Sequence, residues 1–354
     1  MKYFIPLLIL FITVAGYPFE SKLTRIRSIG DDEHEEYTFF FLADAVISDK
    51  NEIFTVDPKG VCITKYNWDG TFVKKTGKKG KGPNDYIFPN RIQFFENRLY
   101  ILDWRNFRIA SVNTDLEDFK SINFRYLQYK NNWLKEWPND FVVLDNERFL
   151  GFFALYKKER GQMFIFNSHG KVEKIFFNYA PSEESDLKET FKHLFLSKVS
   201  SGVNYKAGRI LVTFAFPGNP IDFFLFSLKG DLLTKFSLKQ EKNFEFPAEL
   251  LKHKVEKGVK VDFSMIDSIH SFEDYFLVFL IEVKGAEEIG HSLENKMEYF
   301  CLFFDKAGKF IHKEKMNESI HVLHVSPDGY MLAKLRNPED DVEKLLIYKL
   351  NILK

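Results

Sequence analysis

The sequence predicts an all-β chain folded as a six-bladed β-propeller, and three observations lead there. A tight polar turn followed by an apolar run recurs six times at intervals of roughly 46 to 66 residues. The copies are Glu52–Asp57 (EIFTVD) and Arg98–Asp103 (RLYILD), with looser ones from Arg148 (RFLGFFA), Arg209 (RILVTFA), Tyr275 (YFLVFLI) and Tyr330 (YMLAKLR). A second turn follows later in each of the first five repeats: Asn67–Gly70, Asn113–Asp115, Asn167–Gly170, Leu228–Gly230 and Asp305–Gly308. Short apolar strands flank every turn, so each repeat reads as four antiparallel strands, A to D. Finally, 40 of the 354 residues are Phe, a type that favours pleated, half-buried surfaces. A chain this long also exceeds a comfortable single core, a limit that repeats escape because each unit packs only on its neighbours.

The elements follow in chain order. Lys2, the apolar stretch Phe4–Val14 and the small pair Ala15–Gly16 read as an export signal over residues 1–16. The stretch is too short for a membrane span, which needs about 20 residues, so the mature chain is expected to have no transmembrane span and to be periplasmic or extracellular. Residues 17–354 form the propeller. The last repeat supplies only three strands, near Ile320–Val325, Tyr330–Arg336 and Lys344–Ile352. Lys22–Ile29 is the expected fourth, closing the ring by pairing the first strand with the last blade and removing an open edge.

Charge and cysteine usage narrow the function classes. Lys plus Arg (50) balances Asp plus Glu (50), which leaves no global field for nucleic acid or an anionic membrane. Cys62 and Cys301 fall on strand C of the first and fifth repeats, with the sixth blade between them, so two free thiols are expected. Two isolated cysteines make no zinc site.

The stretch Gly77–Ile109 carries a more specific pattern: a glycine-rich G-x-G-P element, a proline opening the innermost strand, then Leu99, Tyr100, Ile101, Asp103, Asn106, Arg108 and Ile109. It resembles the NHL-repeat propellers, of the exported bacterial type. The first repeat matches in part, with Asp57-Pro58-Lys59-Gly60 in place of the D-x-x-N turn, and the other four keep only the strand pattern. The resemblance implies the fold. It fixes no reaction, because that family and related six-bladed propellers include scaffolds, RNA-binding modules, lyases, lactonases and esterases.

Loop lengths point to one face of the disc. A–B and C–D turns share one face, and B–C and D–A connections the other. The long segments Lys120–Pro138, Ile175–Val199, Gln240–Asp262 (all D–A) and Val283–Lys296 (B–C) fall together. Two helices are expected there, over Glu183–Val199 and Pro247–Glu256, each with one apolar stripe. Arg91, Trp104, Arg105, Trp133, Trp137 and Arg336 map to the same face, and an arginine beside an indole suits peptides, glycans and carboxylates.

Chemical motifs are sparse. The lysine-rich run Lys74–Lys81 lacks the ending of a phosphate-binding loop and reads as a solvated connection. His321 and His324 share a strand, and their odd spacing predicts opposite faces. Asp57 and Asp103 end two B strands, and Asp340-Asp341 lie in the last B–C loop, but the other B strands end in Ala154, Phe216, Val283 and Arg336, which is no calcium array. The expectation is therefore a monomeric, non-catalytic binding propeller without metal or cofactor, its ligand a peptide, glycan or protein on the long-loop face. The alternative is a propeller hydrolase or lyase, of lactonase-like or amidating-lyase-like kind, with its site at the central channel.

Overall fold

The computed structural model describes residues 20–130, 132–133, 138–153, 163–177, 199–214, 220–239, 261–286, 297–335 and 342–353. The export-signal reading, both expected helices, Trp137, Arg336 and Asp340-Asp341 lie outside the described residues. Among those described, no helix is long and apolar enough to cross a membrane.

The chain opens with β1 (Glu20–Ile29). Blade 1 is then β2 (Asp44–Ile47), β3 (Ile53–Asp57), β4 (Cys62–Tyr66) and β5 (Phe72–Thr76). Blade 2 is β6 (Pro89–Phe95), β7 (Arg98–Asp103), β8 (Arg108–Asn113) and β9 (Lys120–Asn123). A small hairpin of β10 (Gln128–Tyr129) and β11 (Asn132–Trp133) precedes blade 3. Blade 3 is β12 (Pro138–Val143), β13 (Arg148–Phe153), β14 (Met163–Asn167) and β15 (Val172–Phe176). Blade 4 is β16 (Val199–Asn204), β17 (Arg209–Phe214), β18 (Ile221–Ser227) and β19 (Leu232–Leu238). Blade 5 is β20 (Val261–Phe272), β21 (Tyr275–Ala286), β22 (Met297–Asp305) and β23 (Phe310–Lys315). Blade 6 is β24 (Ile320–Val325), β25 (Tyr330–Leu335) and β26 (Leu345–Leu353), completed by β1.

The expected closure is present. β1 pairs antiparallel with β26 from Glu20↔Leu353 to Ile29↔Leu345. A second fastening joins blade 6 to the segment entering blade 1. Lys334 Nζ donates to the Leu42 carbonyl at 2.6 Å, and the Glu343 carboxylate accepts the Leu42 N–H.

The core is six cores. Each apolar cluster lies between two neighbouring blades. One joins blades 1 and 2 through Phe54, Val56, Ile92 and Leu99, and another joins blades 4 and 5 through Leu211, Phe223, Phe276 and Phe304. The phenylalanine excess serves these interfaces: Phe223 meets Phe304 across one of them with ring centroids 4.8 Å apart. Each buried ring contributes roughly 1.5–3 kcal/mol. Cys62 and Cys301 are buried and free, as expected from their separate blades.

The C–D turns repeat one device. The residue closing strand C accepts two backbone N–H groups from its own turn: Asn113 those of Asp115 and Glu117, Asn167 those of His169 and Lys171, Asp305 those of Ala307 and Lys309. Glycines at positive φ (Gly70, Gly170, Gly230, Gly308) finish the turn, with Leu116 at φ 61° standing in that place in blade 2.

The G-x-G-P motif of blade 2 is tied down by the blade's own polar residues. Asp103 is fully buried and accepts the N–H groups of Ile87 and Phe88 at 3.1 and 2.9 Å. Asn106 Nδ2 donates to Asp103 at 2.5 Å and to the Gly80 carbonyl at 2.9 Å. Arg108 lies 3.4 Å from Asp103 and donates to the carbonyls of Lys81, Gly82 and Asp85. Asp57 does the same work in blade 1, accepting the N–H groups of Phe40 and Phe41. The acids ending these B strands are therefore backbone clamps.

Two outcomes follow from this architecture. A chain lacking residues 1–29 should melt at least ~10 °C below one lacking only residues 1–19, because β26 becomes an open edge; equal melting temperatures in differential scanning calorimetry would refute closure by β1. Asp103→Ala should cost about 3–5 kcal/mol in urea denaturation, since it strands a buried arginine; a loss under ~1 kcal/mol would remove the clamp role.

Candidate functional site at the channel mouth

The innermost strand of each blade lines the central channel, with β2 between β6 and β24, β12 beside β6, and β20 between β16 and β24. Pairing with strand B fixes which of its residues share a level. Opposite the fifth residue of the recurrent B run (Val56, Leu102, Phe152, Thr213, Phe279, Lys334) stand Asp44, Arg91, Asp140, Ser200, Ser268 and His321. All six are polar. In blade 5 a bulge inserts Asp267 beside Ser268. In all blades but the fifth, this level lies in the first residues of strand A, at the D–A end of the channel, which is the face carrying the long connections.

Two residues deeper, opposite the third residue of the same run, are Val46, Gln93, Val142, Gly202, His270 and His324. The expectation that His321 and His324 point to opposite faces is corrected here. A bulge between Val322 and His324 absorbs one residue, so their partners Lys334 and Leu332 are two apart and the two rings share a face.

The ring is electrostatically connected. Arg91 Nε lies 3.5 Å from Asp140 Oδ2, and both side chains are about 40% exposed (39% and 40%). Asp140, Asp44 and Asp267 together hold the Arg91 guanidinium in its charged form against burial. His321 Nδ1 sits 2.8 and 2.9 Å from the two oxygens of Asp267. Asp44 accepts its neighbour Ala45 N–H at 2.9 Å and, across the blade boundary, Ile92 N–H at 3.0 Å. Burial pushes its carboxyl up to about 6, with Arg91 opposing the rise. Burial also pushes His270 down to about 4 and His324 to about 3. His270 Nε2 lies 3.4 Å from the Val322 carbonyl, whereas His324 Nε2 is sealed without a hydrogen-bond partner.

Of the residues singled out in the sequence, Arg91 joins this ring. Trp104 and Arg105 occupy a single 3-10 turn (Trp104–Asn106) in the B–C connection of blade 2. Both are exposed, Arg105 stacks over Phe88 at 5.2 Å, and the Trp104 N–H donates to the Phe88 carbonyl. Trp133 is 58% exposed on β11, edge-on to Tyr126. Trp137 and Arg336 fall outside the described residues. Sequence reasoning missed Asp44, Asp140 and Asp267, and noted His321 only as facing away from His324. The count back across the A–B turn varies with turn length and bulges, so the ring is visible only once the pairing register is known. Among the described residues, no group of three or more His, Cys, Asp or Glu side chains is arranged to hold a metal.

The two deep histidines should set part of the acid sensitivity. Kept neutral in the fold, they contribute stability that is complete above the ordinary histidine range near 6.5 and is lost as the pH falls through about 4 and about 3. Asp44, raised to about 6, works in the opposite sense between about 4 and 6 but is one group against two. Between pH 4.5 and 6 the stability of the unaltered protein should therefore rise with pH more steeply than that of His324→Gln, by about 1.4 kcal/mol per pH unit. Parallel urea-denaturation curves for the two would refute neutral burial of His324.

No family model matches the chain, and no curated protein matches it in sequence. Its fold is shared with solved structures. A member of the DUF4221 family from Bacteroides vulgatus is 12% identical, superposes with a TM-score of 0.61, and covers 95% of this chain and 99% of its own. A Bacteroides fragilis protein that carries the description of an exported protein is 13% identical, with a TM-score of 0.59 and coverage of 94% and 96%. At these identities the likeness is one of fold: the chain is a six-bladed β-propeller.

Proposed function

We propose that this chain is an exported, monomeric binding propeller whose ligand, a peptide, glycan or protein, docks on the long-loop face and reaches into the channel mouth. The observation that carries this reading is the ring itself. Every blade contributes a polar residue at one register level, in strands otherwise rich in apolar side chains, and the level lies at the face bearing the long connections. Packing six sheets around an axis does not require such a ring. Exposed Trp104, Arg105 and Trp133 on the same face add stacking surfaces and a planar donor. Arg91 is the contact inside the channel, and Trp137 and Arg336 complete the proposed set.

A second reading, a hydrolase or lyase, rests on one pair. Asp267 holds His321 by Nδ1, the arrangement that orients an imidazole for proton transfer at Nε2.

Peptide and glycan arrays probed with the full chain test both readings. The double variant Arg105→Ala/Arg336→Ala should weaken capture of any array ligand at least ~10-fold with little change in melting temperature. Equal losses of binding and stability would assign those arginines to the fold. Mass spectrometry of the captured ligand decides between the readings: an unchanged ligand supports binding alone, whereas cleavage that His321→Ala abolishes would establish the enzyme.

A further inference from the structure

Each carboxylate of the ring faces a donor of the protein, whereas the Arg91 guanidinium leaves its terminal nitrogens open, and this asymmetry selects the ligand chemistry. Both oxygens of Asp44 accept backbone N–H groups. Asp140 accepts the Phe141 N–H at 2.8 Å through Oδ1, and its Oδ2 faces Arg91. Both oxygens of Asp267 face His321 Nδ1. The cationic side is different. The nearest carboxylate oxygen to the Arg91 guanidinium is 3.5 Å from Nε, on the side of the fork nearest the chain, and the group donates no hydrogen bond to a described residue. His321 uses Nδ1 alone. Neither the Arg91 nitrogens nor His321 Nε2 are among the sealed, unpartnered atoms of the described residues. With side-chain exposures of 39% and 24%, they open on the lumen.

Arg91 and His321 share one level of the channel. They stand on blades 2 and 6, which flank blade 1. Each has its carboxylate behind it, Asp140 on the Nε side of Arg91 and Asp267 behind His321. The Arg91 guanidinium so backed stays charged when a ligand displaces water, and its outward edge still lacks an acceptor. Between Arg91 and His321, each oxygen of Asp44 accepts one backbone N–H, from Ala45 and from Ile92.

We infer that the channel ligand presents a carboxylate group, received by the terminal nitrogens of Arg91, with His321 as a second contact at the same level of the channel. This rests on the channel-binding reading above. A planar guanidinium fork matches a carboxylate. Two sources supply that chemistry within the proposed ligand classes: the C-terminus of a peptide and the acid group of a uronic acid sugar.

Isothermal titration of the full chain with four probes tests the inference: triglycine, triglycine C-terminal amide, glucuronate and glucose. At least one acid should bind, with its neutral counterpart at least ~10-fold weaker; which acid binds identifies the source. Arg91→Gln and His321→Gln should each weaken that acid at least ~10-fold, and Arg91→Lys, which keeps the charge and loses the fork, should fall between. If Arg91→Gln fails to fold, His321→Gln and Arg91→Lys carry the test. Equal binding of acid and neutral counterpart, with loss in the channel variants, would overturn the carboxylate and leave the channel site standing. Binding indifferent to all three variants would overturn both. No binding of either acid at about 10 mM would overturn the carboxylate.

Discussion

Everything in this molecule depends on β1 lying against β26. The first and last described strands share a blade, made by antiparallel pairing from Glu20↔Leu353 to Ile29↔Leu345. The pairing also places Ile29 against Leu345 and Ile347 in the cluster that joins blade 6 to blade 1. The Lys334 and Glu343 contacts to Leu42 reinforce the same boundary. The channel ring inherits its geometry from the closure, because His321 and Asp44 stand on the two blades that it brings together.

Cohesion and recognition are separated by position along each strand pair. The apolar faces of the blades form six interfaces, each shared by two neighbours, and nearly all the buried phenylalanine lies there. The channel carries the titratable groups. Some are structural, such as Asp44, whose Oδ2 takes the Ile92 N–H of the next blade. Gln93 spans a boundary in the same way, donating to Phe141 O and accepting Val143 N–H. The outward edge of the Arg91 guanidinium is not used in this way, which sets it apart from Asp44 and Gln93.

The fold was legible because its signals are local. Turn residues such as Asn167–Gly170 and apolar runs such as Arg209–Ala215 repeat with the blade, and counting them gives the number of blades and the missing strand. Asp103, Asn106 and Arg108 were legible as a motif, though not as a clamp on the Lys81–Asp85 backbone. The candidate site was legible only through Arg91. A channel ring is one residue per blade, spread along the chain, and its register depends on bulges at Pro89/Arg91, Pro138/Asp140, Ile266/Ser268 and Val322/His324. Each bulge moves one side chain to the other face, so a strict two-residue alternation sends His321 and His324 apart when the structure brings them together. No property of a single residue announces such a slip.

The strand that closes the ring is made first and satisfied last. During synthesis β1 must wait, unpaired, until β26 has emerged at the far end of the chain, and no earlier strand is its partner. The first five blades can each form from contiguous sequence, while the disc as a whole cannot lock before β26 has emerged. The closing pair joins strands separated by nearly the whole described fold, so its formation carries a large loop-closure cost. The channel ring, to which all six blades contribute, is therefore complete only once that pair has formed.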